Sequence, residues 1–133
     1  SRVPHISVLL GASYGAGHYG MCGRAFDPRF LFAWPSAKSA VMGGAQLAGV
    51  ISIVGRAAAQ ARGHAVDEAA DEAMRAAVEN QIEAESMPMF LSGRLYDDGV
   101  IDPRDTRDVV GFCLSAAASG PIEGAGDFGV FRM

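Results

Sequence analysis

Gly11-Ala-Ser-Tyr-Gly15-Ala-Gly17-His-Tyr-Gly20-Met-Cys-Gly23, entered directly from the apolar run His5-Ile-Ser-Val-Leu-Leu10, is the stretch that decides the fold. The run is short, continuous and stopped at once by Gly11, which reads as a strand buried on both faces, as in a parallel sheet. The closely spaced glycines that follow let backbone approach a ligand where side chains would block it. A short helix, read here from His18 to Gly23, would aim free N–H groups at that ligand. Chemistry is expected at this turn.

Outward from it, Phe30-Leu-Phe-Ala-Trp34 reads as the next strand, stopped by Pro35. Val41 to Ala59 is apolar nearly all round, the pattern of a helix covered on several sides, with Gly43 and Gly44 in its first turn. After the polar break Gln60 to His64, Val66 to Glu85 repeats Ala70, Met74, Ala77, Val78 and Ile82 at helical spacing, an amphipathic surface helix. Met89 to Arg94 is a shorter segment, and Asp97-Asp98-Gly99 is a turn into the apolar step Val100-Ile101. Asp102-Pro103-Arg104-Asp105 is the sharpest local signal: an N-cap acid, proline at the first helical position and an acid behind it. It opens a helix through Ser119 with Val109, Val110, Cys113, Leu114 and Ala117 on the core face. The tail Asp127 to Met133 is apolar enough to dock. The alternation of strands and helices predicts an α/β fold.

With 133 residues, half of them apolar, one domain with a buried core is feasible. A formal net charge of −4 without any Lys/Arg cluster argues against nucleic acid as a partner. Cys22 and Cys113 fit no metal spacing and read as buried reduced thiols, which fits a cytoplasmic protein. The apolar stretches break well short of the ~18–20 residues that a membrane span needs. The opening Ser1-Arg2-Val3-Pro4 has no initiator Met and leads almost directly into a core-grade strand, as expected of a piece of a longer protein.

Gly15-Ala16-Gly17-His18-Tyr19-Gly20 matches G-x-G-x-x-G in letters, but a dinucleotide site needs a full crossover helix and an acid closing the next strand. Here Asp27-Pro28 ends the helix within a turn or two, and the strand ends in Ala33-Trp34-Pro35. What the turn favours is an oxyanion hole, with the successive N–H groups of Ala16 and Gly17 converging on one oxygen. A plain packing turn would use the same glycines, and the residues alone do not separate the two. Gly43 and Gly44 offer a second set of free N–H groups, with close helix packing as the plainer reading. His18 is the only histidine in the candidate site, and a structural hydrogen bond is the commoner role for such a residue. Ser13 lacks the downstream acid and histidine of a hydrolase triad. His5 and His64 have no partner at metal spacing, and no metal is expected. The acids from Asp67 to Glu85 form a solvated helix face.

Laid out in order, the chain resembles the carboxyltransferase (β) subunit of biotin-dependent acyl-CoA carboxylases, most closely the methylcrotonoyl-CoA carboxylase branch. The resemblance rests on Val3-Pro-His-Ile-Ser-Val, Gly15-Ala-Gly-His-Tyr-Gly-Met-Cys-Gly-Arg-Ala25, Pro28-Arg29-Phe30, Trp34-Pro35, and Val41-Met-Gly-Gly44 with Gln46. It continues through Asp97-Asp-Gly, Ile101-Asp-Pro-Arg-Asp-Thr-Arg107, Pro121-Ile-Glu123 and Phe128-Gly-Val-Phe-Arg-Met133. It implies a crotonase-like superhelix of ββα units, with residues 1–133 as the second half of the C-terminal carboxyltransferase domain.

It further implies that Ala16 and Gly17 supply the backbone oxyanion hole for the urea oxygen of biotin, with Tyr14, Gly15, His18, Tyr19, Gly43 and Gly44 around the pocket. Biotin, carrying the carboxyl group, arrives on the carrier of a biotin carboxylase (α) subunit. The acyl-CoA comes from a partner β subunit of a homo-oligomer, so that the site lies at a dimer interface. Such a mechanism needs no side-chain base. Tyr19 stands where the propionyl-CoA branch carries an acid, which counts against that branch, whereas His18 departs from the Asn that methylcrotonoyl-type enzymes commonly carry; the resemblance implies 3-methylcrotonoyl or a related branched chain as the acyl group, with propionyl, acetyl or geranyl types as alternatives. The isolated chain is expected to be inactive. A non-catalytic assembly fragment is the rival reading, and an enoyl-CoA hydratase or isomerase would need acids that are missing between Gly11 and Phe26.

Overall fold

A computed structural model describes residues 3–122 and Gly124. Two consecutive ββα units open it. The first is β1 (Ile6–Leu9), β2 (Ala12–Tyr14) and α1 (Gly15–Gly20), and the second is β3 (Phe30–Ala33), β4 (Lys38–Ala40) and α2 (Gly44–Ala61). Each unit places one strand in each of two parallel sheets. β1 pairs with β3, Ile6 opposite Phe30 and Leu9 opposite Ala33, while β2 pairs with β4, Ala12 opposite Lys38 and Tyr14 opposite Ala40. The bends between strands are stitched together: Ser36 Oγ donates to the Leu10 carbonyl at 2.7 Å, and the Lys38 N–H reaches Gly11 O at 3.2 Å. Then come α3 (Glu68–Glu85), α4 (Pro88–Gly93), the two-residue β5 (Gly99–Val100) and α5 (Thr106–Ala118). β5 joins the far side of β3, giving the order β1-β3-β5.

Several expectations need correction. β1 is half-buried along its length instead of buried on both faces, whereas β3 buries Leu31 and Ala33. The reason is position, since β3 is central and β1 an edge among the described residues. The first helix starts at Gly15 and ends at Gly20, not at His18 and Gly23, because β2 intervenes and hands over directly to it. Likewise β4 takes part of the stretch before Gly43, so α2 begins at Gly44 with Gly43 as its N-cap, and Val41 and Met42 lie exposed in the connection. The all-round apolar surface of α2 is not covered on several sides: Ala48 and Ser52 are buried, but Val50, Ile53 and Val54 are 47%, 68% and 63% exposed. Among the described residues its partner is α3. Cys22 is half-buried, Cys113 buried, and both are free. On α5, Cys113 faces the core with Val109, Val110 and Ala117 half-buried, but Leu114 points outward. The docking tail 127–133 lies outside the described residues.

The cap signals behave as their chemistry dictates. The Asp67 carboxylate accepts the Ala70 N–H at 3.0 Å at the start of α3, and Asp102 accepts that of Arg104 at 2.8 Å. Pro103 opens a short 3-10 turn, Pro103–Asp105, before α5 proper. Trp34 Nε1–H donates to Thr106 Oγ1 at 3.0 Å, which fastens the end of β3 to that helix.

Where α2 crosses α3, Ser52 Oγ donates to Asp71 Oδ2 at 2.8 Å, and Arg56 donates to Asp71 from Nη2 at 2.8 Å and to Glu68 from Nη1 at 2.9 Å. The Ser52 hydroxyl, then the Arg56 guanidinium, holds the Asp71 carboxyl below the usual carboxylate range. A depressed native pKa adds stability that is fully present above the unfolded carboxylate's pKa and is lost as pH falls through the native value. Asp71→Asn is therefore expected to flatten the acid limb of a Tm-versus-pH curve; an acid limb identical to wild type contradicts the assignment.

Candidate functional site

β2 delivers Tyr14 in extended conformation, and Gly15 then turns with φ +55° into the first turn of α1. A Cβ on Gly15 would stand 3.0 Å from the Val41 carbonyl oxygen, so both torsion and space favour glycine here. No side chain caps α1. Its early amides, Ala16 and Gly17, sit on exposed residues, and a Cβ built on Gly17 meets nothing within 4 Å. Neither amide is taken up by a side-chain cap, which leaves them to an acceptor from outside the helix.

The far end of α1 is clamped. Gly23 N–H donates to His18 O at 2.9 Å, and Ser7 Oγ lies within reach of the carbonyls of Met21 (3.2 Å) and Cys22 (3.3 Å). Ser13 Oγ is 3.1 Å from His18 Nδ1, and burial pushes the imidazole below its usual pKa, which favours the neutral ring. That ring occupies the space of a Gly23 side chain: a Cβ there would lie 2.3 Å from His18 Cδ2 and Nε2. His18 thus acts as a strut between β2 and the end of α1, the structural role weighed for it from sequence. Among the described residues no acid pairs with it.

The starts of α1 and α2 are brought side by side. Besides the Gly15–Val41 approach, Tyr14 Cδ2 lies 3.8 Å from the Cβ position of Gly43. Gly43 caps α2 without a side-chain hydrogen bond, so its end too offers free N–H groups. Gly44 has the packing role, since its Cβ position is 3.2 Å from Glu79 Cα and O on α3.

Behind α1 lies a cavity of about 620 Å³, bounded by Gly15, His18 and Tyr19 on one side and by Leu31, Phe90 and Asp97 on the other. Of the expected pocket residues, Tyr14, Gly43, Gly44 and the amide pair Ala16 and Gly17 do not line it. Asp97, read from the sequence as part of a turn and of the resemblance but given no place in the pocket, lines this cavity. Asp98 is engaged, accepting the Leu31 N–H at 2.7 Å and Arg24 Nη2 at 3.1 Å. No group of three or more His, Cys, Asp or Glu among the described residues could hold a metal ion, and no helix among them is long and apolar enough to cross a membrane.

The family model of the carboxyl transferase domain matches residues 1–128. The chain is 81% identical over its whole length to the probable biotin-dependent acyl-coenzyme A carboxylase beta2 subunit of Mycobacterium tuberculosis, covering 25% of that protein. It is 49% identical to the mitochondrial methylcrotonoyl-CoA carboxylase beta chain of Arabidopsis thaliana, covering 22% of it. The crystal structure of the beta subunit of Pseudomonas aeruginosa geranyl-CoA carboxylase superposes on 98% of this chain and 27% of its own, with TM-score 0.73 and 38% identity. The chain thus spans about a quarter of the length of these relatives. Its paired ββα units are the crotonase-like α/β arrangement of such subunits, and the chain belongs to the carboxyl transferase domain family.

Proposed function

We propose that a protein carrying this chain at the relatives' length is the carboxyltransferase subunit of a biotin-dependent acyl-CoA carboxylase, with residues 1–133 as the second half of its C-terminal domain. The observation that carries the site is the peptide at Ala16 and Gly17, in exposed residues, without a side-chain cap and set in place by a turn at Gly15 whose φ of +55° and close approach to Val41 favour glycine. Two N–H groups fixed in advance stabilise an oxygen that gains negative charge, and they need no reorganisation as the charge develops.

The donor set fits the urea oxygen of biotin, a neutral acceptor that becomes more basic when the ring loses its carboxyl group. Biotin supplies the activated carboxyl. This chain's residues hold and orient it: Ala16 and Gly17 bind the oxygen, Gly15 sets their direction, and the neutral His18 strut keeps α1 from moving as charge builds. Free N–H groups at Gly43 lie close enough to shape the same region. The partners are a biotin carboxylase and carrier subunit, and a second β subunit that brings the acyl-CoA. The exposed Val50, Ile53 and Val54 on α2 support assembly with further protein. The free thiols suit a reducing cytoplasm.

For the acyl group we propose a branched unsaturated thioester such as 3-methylcrotonoyl-CoA, because relatives named for methylcrotonoyl- and geranyl-CoA resemble the chain along nearly its whole length. The test is fixation of labelled bicarbonate by the full-length protein with its biotin-carrying partner and ATP, across methylcrotonoyl-, geranyl-, propionyl- and acetyl-CoA. The expected result is a higher kcat/KM for a branched unsaturated thioester. Preference for propionyl- or acetyl-CoA overturns the substrate, and no carboxylation of any of them overturns the activity.

A further inference from the structure

α1 cannot hold its own position. It buries none of its six residues, no side chain caps its start, and a helix this short has little stability of its own. Its entry turns at Gly15, and its exit passes through Cys22 at φ +60°, a left-handed conformation that costs energy in any residue but glycine. Such a conformation persists where the surroundings over-determine it.

Two tethers do so. On one side, Ser7 Oγ of β1 lies 3.2 and 3.3 Å from the carbonyls of Met21 and Cys22. On the other, Arg24 donates from Nη2 to Asp98 Oδ1 at 3.1 Å and from Nε to the Tyr96 carbonyl at 3.2 Å, so its guanidinium spans two points of the turn before β5. Asp98 is itself pinned to the core. Its Oδ2 accepts the Leu31 N–H at 2.7 Å, its own N–H donates to Leu31 O at 2.7 Å, and Leu31 is 1% exposed. Because β1 and β5 flank β3, the chain leaving α1 is strung across the sheet from one side of β3 to the other. From Arg24 the links run straight back to the amides: Gly23 N–H donates to His18 O at 2.9 Å, and Met21 N–H to Gly17 O at 3.1 Å.

We propose that Arg24 is a positioning residue, which through Asp98 fixes the exit of α1 against β3 and so sets the direction of the Ala16 and Gly17 N–H groups. The inference rests on the oxyanion role proposed for that peptide. Without the clamp α1 can swing about Gly15 while the sheet keeps its place. The ion pair is partly exposed, 34% and 37% for the two side chains, so its loss costs little global stability.

The experiment compares Arg24→Ala, Asp98→Asn and the double variant of the full-length protein with its biotin-carrying partner. The readouts are kcat and KM for the acyl-CoA, Tm, and the urea carbonyl infrared band of carbon-13-labelled biotin. Asparagine at 98 can still accept the Leu31 N–H, so it tests the ion pair. Each single variant is expected to lower kcat about 10-fold or more, with KM changed less than about 2-fold. The band should move toward its position in water, and Tm should shift by no more than ~2 °C. The double variant should lose no more than the worse single one, since both break the same link.

Wild-type kcat and band in folded Arg24→Ala overturn the proposal. So does a kcat loss that only matches the loss of folded protein, which marks a packing role, or a raised KM with unchanged kcat, which puts Arg24 on the substrate. Additive losses overturn the link through Asp98. If Arg24→Ala yields no folded protein, Arg24→Lys, which keeps the charge and gives up one of the two hydrogen bonds, decides by the same readouts. Gly17→Val separates this inference from the reading beneath it: a loss there beside an unaffected Arg24→Ala removes the clamp alone, whereas full turnover in folded Gly17→Val removes the oxyanion role and the clamp's purpose with it.

Discussion

Gly17→Val in the full-length protein is expected to lower carboxyl transfer by roughly 10²-fold or more, the usual loss for one oxyanion-hole donor, while leaving the fold intact. The two halves of this expectation come from different facts. A Cβ on Gly17 meets nothing within 4 Å in the chain, and valine is no worse than glycine in a helix, so stability has no reason to fall. The branched side chain would instead shadow the space in front of two N–H groups that the chain leaves open. If Gly17 were a packing glycine, the signature would reverse, with Tm falling and activity following only as far as the folded fraction. Steady-state rates and Tm on the same preparation separate the cases, and full turnover in the folded variant removes the oxyanion assignment.

Gly15→Val should fail in the opposite way. An L-residue held at φ +55° costs about 1–2 kcal/mol, more when β-branched, and the Cβ also lies 3.0 Å from the backbone oxygen of Val41. Relief requires moving either α1 or the connection that leads into Gly43 and α2. Tm and carboxyl transfer are therefore expected to fall together, with Gly15→Ala showing the same losses in smaller measure. A stable, active Gly15→Val protein would mean that the turn is not the rigid hinge described here.

How far the sequence could be read follows from the range of the forces involved. The Asp102-Pro103 cap and the Asp67 start of α3 are local chemistry, and they lie where the residue types put them. The start of α1 was placed three residues late because β2 has only three residues, too few to leave a period of two. α2 shows the complementary failure: its periodicity correctly marks apolar faces, but covering Val50, Ile53 and Val54 depends on neighbours that periodicity does not reveal. The turn at Gly15 was legible because close glycine spacing is itself a statement about backbone conformation. The cavity beside it was not, since its walls come from segments far apart in sequence.

The most direct measurement of the central claim is the infrared carbonyl stretch of biotin labelled with carbon-13 at the urea carbon, bound to the full-length protein. Two N–H donors on the urea oxygen predict a downshift of that band relative to biotin in water, lost in Gly17→Val. A band at the aqueous position in the wild-type complex, or the same shifted band in both proteins, would contradict the assignment of Ala16 and Gly17 as the oxyanion donors.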